Sequence, residues 1–383
     1  MKLTKSRFLK RTCAICLIAV GTVASSTGQV FTTLVQFDGT NGGQPTASLV
    51  QGADGYLYGT TTIGGDLTCD AGEGCGTVFR LSLKDGSLTT LHAFGGQDGM
   101  FPWSALVLGT DGYFYGTTAA GGDLTCMASE GCGTIFKMTP QGELTTLHEF
   151  ENENGTSPIA SLKQGIDGNF YGTASVGVIQ ALDGEFYGTT MLGGSYDCDN
   201  TYGCGTAFKM SPQGALSVLH QFDLTDGSQP AAAFLKGPND ELYTTSAGGG
   251  RYNLGTIFRS SRSGAITVLH QFQGGDGALP YAPLIVGTDG NVYGTAYYGG
   301  SYGCFAPHGC GTVFMVTRQG KLTKVHRFNG KDGNAPYAAL FQAANGIFYG
   351  TTSQGANQSC FLGGCGTVFS LDMSQNPYAA HQH

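Results

Sequence analysis

From Phe31 to Leu371 the apolar residues fall in short, alternating runs and show no helical spacing. One run reads YLYGTTT from Tyr56. It returns as YFYGTTA from Tyr113, NFYGTAS from Asn169, EFYGTTM from Glu185, ELYTTSA from Glu241, NVYGTAY from Asn291 and IFYGTTS from Ile347. A second run, GTVFRLS from Gly76, has counterparts at Gly133, Gly205, Gly255, Gly311 and Gly366. A third, SLTTLHAF from Ser87 to Phe94, has counterparts ending at Phe150, Phe222, Phe272 and Phe328. Short runs rich in β-branched and aromatic residues predict strands. Asp-Gly or Asn-Gly steps at Asp54, Asp111, Asp167, Asp183, Asp289 and Asn345 suit the positive φ of tight hairpin turns.

The Tyr-Gly pairs place Gly, or Thr244 in its stead, at positions 59, 116, 172, 188, 244, 294 and 350, steps of 57, 56, 16, 56, 50 and 56. A period near 56 is in the range of propeller blades. Each full unit holds four strand-like pieces, such as ASLV, YLYGTT, GTVFRLS and SLTTLHAF. The last unit stops after GTVFSLD, and its missing fourth piece, FTTLVQF, lies at the other end, Phe31 to Phe37. A ring needs that arrangement, because it removes the free sheet edges. The 16-residue step marks a unit reduced to its first hairpin. The expected fold is therefore an all-β β-propeller closed by its N-terminal strand. It has six four-stranded blades plus one two-stranded half blade, seven sectors in all. A six-bladed ring with the hairpin displaced is the alternative.

Composition adds compartment and excludes one class of partner. Glycine is 64 of 383 residues and charged residues are 12%. The formal net charge of −8 argues against nucleic acid, whose phosphates need a basic patch. Residues 1–28 read as a secretory signal peptide. Lys2, Lys5, Arg7, Lys10 and Arg11 precede an apolar run from Cys13 to Ala24, with cleavage expected between Ala24 and Gln29. The repeat domain spans residues 29–374, and residues 375–383 form a tail. No membrane span is expected in the mature chain, and a periplasmic or extracellular location follows.

Ten cysteines follow the signal segment, paired by position as Cys69/Cys75, Cys126/Cys132, Cys198/Cys204, Cys304/Cys310 and Cys360/Cys365. Each pair lies in the loop between the second and third strands. The loop GGGRYNLG near Arg251 is shorter and lacks both members together. Joint absence in an exported chain predicts disulfides. Two thiols without a regular histidine make a poor zinc site, so no metal site is expected.

In an up-and-down blade these loops share a face with the blade-to-blade connections. Long loops on a rigid ring commonly carry binding. The candidates for a glycan or protein ligand there are Tyr196, Tyr202, Tyr252, Tyr297, Tyr298, Tyr302, Phe305 and His308. Some of these rings would serve equally well to cover the blade tops. The repeated His92, His148, His220, His270 and His326 lie on outermost strands, too far apart to share an ion, and are expected to hydrogen-bond between strands or blades. Tyr58 and its counterparts are expected in the core between blades. The prolines at 45, 102, 158, 230, 280 and 336 open the innermost strands, where small residues are expected around a crowded axis. Asp98, Asp226, Asp276 and Asp332 recur in Asp-Gly-x-x-Pro. Capping of their own turns is expected, with calcium as the alternative cofactor. No catalytic motif is recognisable. The expected function is a binding module, with a polysaccharide-acting hydrolase or lyase and a structural surface protein as the alternatives.

The phrases DGxxYGTT, GCGTVFKxT and LTTLHxF resemble the GloVer tandem-repeat family of secreted bacterial proteins over about residues 31–371. The resemblance implies an exported propeller-like repeat protein, often with a C-terminal anchor, and carries over no catalytic residues. Two departures stand out: the halved unit, and a close on AAHQH with no visible anchor segment.

Overall fold

The computed structural model describes residues 23–24, 29–126, 130–151, 157–164, 168, 170–171, 178–181, 183–194, 203–211, 215–237, 241–300, 304, 308–356 and 363–374. The fold is a β-propeller. Blade 1 is an antiparallel meander of Val50–Gln51, Leu57–Thr61, Thr77–Leu81 and Leu88–Ala93, running from axis to rim. Blade 2 ends at Leu144–Glu149, blade 3 at Leu216–Gln221, blade 4 at Ile266–Gln271 and blade 5 at Leu322–Arg327. In blade 6 the fourth strand from the axis is the N-terminal Val30–Gln36, paired with Thr367–Asp372. The two-residue strand Val23–Ala24 lies outside it. Lys163–Gln164 and Phe170–Tyr171 form the halved unit, a lone hairpin between blades 2 and 3. Among the described residues, helix is limited to 3-10 turns, at Asp70–Gly72 and at Gly363.

Each letter of the Tyr-Gly-Thr-Thr strand has a physical assignment. The tyrosine packs on the next blade: Tyr58 lies 4.1 Å from Phe114, and Tyr293 lies 4.3 Å from Phe348. Its hydroxyl reaches back to the hairpin aspartate, Tyr58 to Asp54 at 2.7 Å and Tyr293 to Asp289 at 2.7 Å. At Tyr187, burial and then the hydrogen bond to Asp183 push the phenol up to about 12. The glycine makes room for a ring on the third strand. A Cβ on Gly59 would sit 2.6 Å from Phe79 Cζ, and one on Gly350 would sit 2.4 Å from Phe369 Cζ. In blade 4, Thr244 stands there, and its hydroxyl donates to the Ala232 carbonyl at 3.0 Å.

The first threonine bonds to the next innermost strand. Thr60 reaches the Ser104 carbonyl, Thr245 that of Pro280 and Thr295 that of Ala338. Thr351 reaches the Ala47 carbonyl and so joins blade 6 to blade 1. The second threonine ties strands two and three, as in Thr61 to Thr77 at 2.8 Å. Phe31 strengthens the closure. Its ring stacks on His326 of blade 5 at 3.8 Å and lies 5.2 Å from Phe369 of blade 6.

The hairpin docks on blade 2 as a full blade would. Thr117 donates to the Pro158 carbonyl at 2.8 Å, and Tyr115 lies 4.1 Å from Phe170. Half a unit therefore preserves the contacts that one neighbour needs. The described residues form a ring of six four-stranded blades, with this hairpin as a separate two-stranded unit.

Gly59→Ala places a methyl group against the buried Phe79 ring, an overpacking that typically costs about 1–3 kcal/mol. Urea unfolding should show that loss with an unchanged slope. An unchanged midpoint would refute the assignment of this glycine to ring clearance.

Candidate ligand-binding face

The face opposite the tight hairpins carries the cysteine loops and the blade connections. Disulfides close Cys69–Cys75, Cys126–Cys132 and Cys304–Cys310, with Cα separations of 5.6, 5.5 and 5.3 Å. Cys204 and Cys365 are also disulfide-bonded; their expected partners Cys198 and Cys360 lie outside the described residues. Closing loops this short contributes roughly 2 kcal/mol each by chain entropy.

The second cysteine also sets the docking of the next blade. Its carbonyl accepts the backbone N–H of the residue before the proline: Phe101 from Cys75 at 2.9 Å, Ser157 from Cys132 at 2.9 Å, and Ala335 from Cys310 at 3.0 Å. In the cysteine-free loop of blade 4, Leu254 supplies that carbonyl to Leu279. The N–H donors are non-glycine residues held at positive φ, between 51° and 56° for Phe101, Ser157, Leu279 and Ala335.

The recurrent histidines and aspartates turn out to be one device. His92 Nε2 meets Asp98 Oδ2 at 2.7 Å, and His220 meets Asp226 at 2.7 Å. His270 meets Asp276 at 2.9 Å, and His326 meets Asp332 at 3.1 Å. The other carboxylate oxygen of Asp98 accepts the Gly95 N–H at 2.9 Å. Each pair locks the end of an outermost strand to the connection that follows it. Burial works to raise the Asp98 and Asp276 carboxyls. The histidine and backbone hydrogen bonds outweigh it and hold both below their ordinary value. The matching turn after His148, at Asn154, lies outside the described residues.

Of the expected ligand residues, Tyr297, Tyr298 and His308 come together. Tyr298 stacks on His308 at 5.0 Å and meets Tyr297 edge-on at 4.6 Å. Tyr252, in the blade 4 loop, is exposed, and the Arg251 guanidinium lies over its ring at 5.6 Å. Tyr196, Tyr202, Tyr302 and Phe305 lie outside the described residues.

The array of rings extends further than the sequence reading reached. Tyr281 lies 5.7 Å from Tyr297 and stacks on Tyr337 at 5.3 Å. Tyr337 in turn lies 6.1 Å from Trp103. Burial first, and then the neighbouring phenols, push Tyr281, Tyr297 and Tyr337 up from the ordinary tyrosine value, so these phenols stay neutral donors.

Trp103, Tyr281 and Tyr337 each directly follow the proline of their blade. They wall an axial cavity of about 280 Å³. The same position elsewhere on its wall holds Thr46, Ile159 and Ala231. Small residues line the next level down: Ser48, Ala105, Ser161, Ala233, Pro283 and Ala339. The expectation of small side chains around the axis thus holds at the second level and fails at the mouth. The signal was present in the sequence, because the residue after the proline varies while its surroundings repeat.

Chemically, the cavity offers aromatic faces, hydroxyls and one ammonium, that of Lys163. No carboxylate is among the described residues lining it.

The profile of the Gloeobacter/Verrucomicrobia repeat matches residues 19–180 and again residues 174–382. The chain belongs to this repeat family. No curated protein matches the chain. Among solved structures, the repeat chain is similar to the extracellular domain of a hybrid two-component system from B. thetaiotaomicron. The TM-score is 0.54 at 10% identity, over 93% of this chain and 45% of the other. A Dyadobacter fermentans protein of unknown function gives a TM-score of 0.52 at 10% identity, over 90% of this chain and 98% of the other. A gluconolactonase from Xanthomonas campestris gives 0.46 at 13% identity, over 90% and 89%. At these identities the likeness concerns the fold alone.

A carboxyl held below its ordinary value contributes stability above the unfolded value, near 3.9, and loses it as pH falls through the folded one. Unfolding midpoints followed from pH 6 to pH 2 should therefore drop below about pH 4. Asp98→Asn combined with Asp276→Asn should be less stable at pH 6 and flatter with pH. Parallel curves for variant and parent would overturn the lock.

Proposed function

We propose that this repeat protein is an exported binding module that takes a glycan at the axial mouth of its disulfide-stapled face. The observation that carries the reading is the unbroken series of rings from Trp103 to His308. Rings that cover a blade top would be sealed, yet Trp103 is 37% exposed at the cavity mouth. An aromatic face beside hydroxyl donors suits the C–H face and hydroxyl rim of a sugar. The disulfides and the N-terminal apolar segment support export.

The oxidised protein should be applied to a polysaccharide and oligosaccharide array. Trp103→Ala should weaken any hit about tenfold, the scale of one lost stacking contact, while the thermal midpoint is retained. A blank array with folded protein would refute the glycan reading and direct the search to a protein ligand.

A further inference from the structure

Resting on that reading, we infer that the axial cavity is built for the acidic end of a uronate-bearing glycan, with the carboxylate held by Lys163.

The halved unit is the first observation. It gives five consecutive residues to the cavity wall, Ile159 to Lys163, where no other inner strand gives more than three. Reduction of one blade to a hairpin thus coincides with the fullest exposure of an inner strand to the axis.

That exposed strand carries the one charged side chain among the described residues of the wall. The fifth residue after the proline is Val50, Val107, Leu235, Ile285 and Phe341 in blades 1, 2, 4, 5 and 6. In the hairpin it is Lys163. A lysine in a ring of aliphatic and aromatic counterparts breaks the repeat in one chemical direction. Among the described residues its ammonium has no acidic partner. The chain holds 27 acidic residues against 19 basic ones, yet among the described residues no acid lines this cavity.

The remaining polar groups on the wall complement an anion. Thr46 is 7% exposed, and its Oγ1 has no hydrogen-bond partner. A buried hydroxyl without a partner carries a desolvation cost that a bound ligand relieves. The Tyr281 and Tyr337 hydroxyls, kept neutral, are donors as well. These hydroxyls can donate or accept, whereas the Lys163 ammonium only donates and carries charge, so it is the group that distinguishes an acid from a neutral sugar. The rings bind the sugar face, and the cation and hydroxyls bind the carboxylate.

The strand geometry sets the scale. Lys163 lies four residues beyond Ile159 along the strand, about 13 Å at 3.3 Å per residue. An oligosaccharide of a few residues is long enough to reach from the aromatic wall to the ammonium.

The test uses the oxidised protein and trisaccharides of galacturonate, glucuronate and mannuronate, each beside its methyl ester. The ester keeps the rings and removes the charge. Calorimetry should show at least one acid bound about tenfold more tightly than its ester. Lys163→Gln should remove that preference and leave the ester's affinity unchanged; Lys163 is exposed, so the variant should fold. Trp103→Ala should weaken acid and ester alike. Equal affinity of every acid and its ester, or indifference of the acid to Lys163→Gln, would overturn the inference while leaving the glycan reading intact. Failure of all six ligands would also overturn it, and a blank array would then end the broader reading too.

Discussion

Every blade leans on the next through a proline laid against a glycine. A Cβ on Gly76 would sit 2.6 Å from the Pro102 ring, and one on Gly311 would sit 2.4 Å from Pro336. Beside this contact, the residue before the proline is held at positive φ so that its N–H can reach the previous blade. Such backbone costs of order 1 kcal/mol per residue and persists only where the surroundings enforce it. Here an inter-blade hydrogen bond, an adjacent disulfide and a histidine–aspartate lock enforce it. The spacing of the sectors, and so the width of the axis, follows from this junction. The junction also places the next residue, Trp103 or Tyr337, at the cavity mouth.

Much of the fold was legible in the sequence because its causes are local and repeated. Alternation gave the strands, Asp-Gly steps gave the hairpins, and the misplaced FTTLVQF run gave the closure. The cysteine pairs were readable because partners lie five or six residues apart and vanish together. The roles of Tyr58 and His92 were readable in kind but not in partner. Asp98 lies near His92 in sequence, yet only a folded turn shows that both serve one hydrogen bond.

The candidate site was less legible because its residues meet across the ring. Tyr297, Tyr298 and His308 were found as unusual loop residues. Trp103, Tyr281 and Tyr337 were passed over because each sits inside a well-behaved repeat phrase. Their meeting depends on the curvature of the whole ring, which no local pattern encodes. The halved unit was plain in the sequence, but its bearing on the cavity was not. In a repeat array each unit touches only its neighbours, so one can shrink without undoing the others.

Closure by Val30–Gln36 also imposes an order on folding. This strand is synthesised first, yet its partner Thr367–Asp372 comes from the far end of the chain. Blades 1 to 5 are local meanders and can form as they emerge. Blade 6 must wait, and until its last strand arrives the ring presents an open edge, the kind of surface that pairs with other chains. The whole repeat domain has to be present before the ring can shut. The fold is assembled from local pieces but completed by one of its longest-range contacts, and that last step is the one most exposed to error.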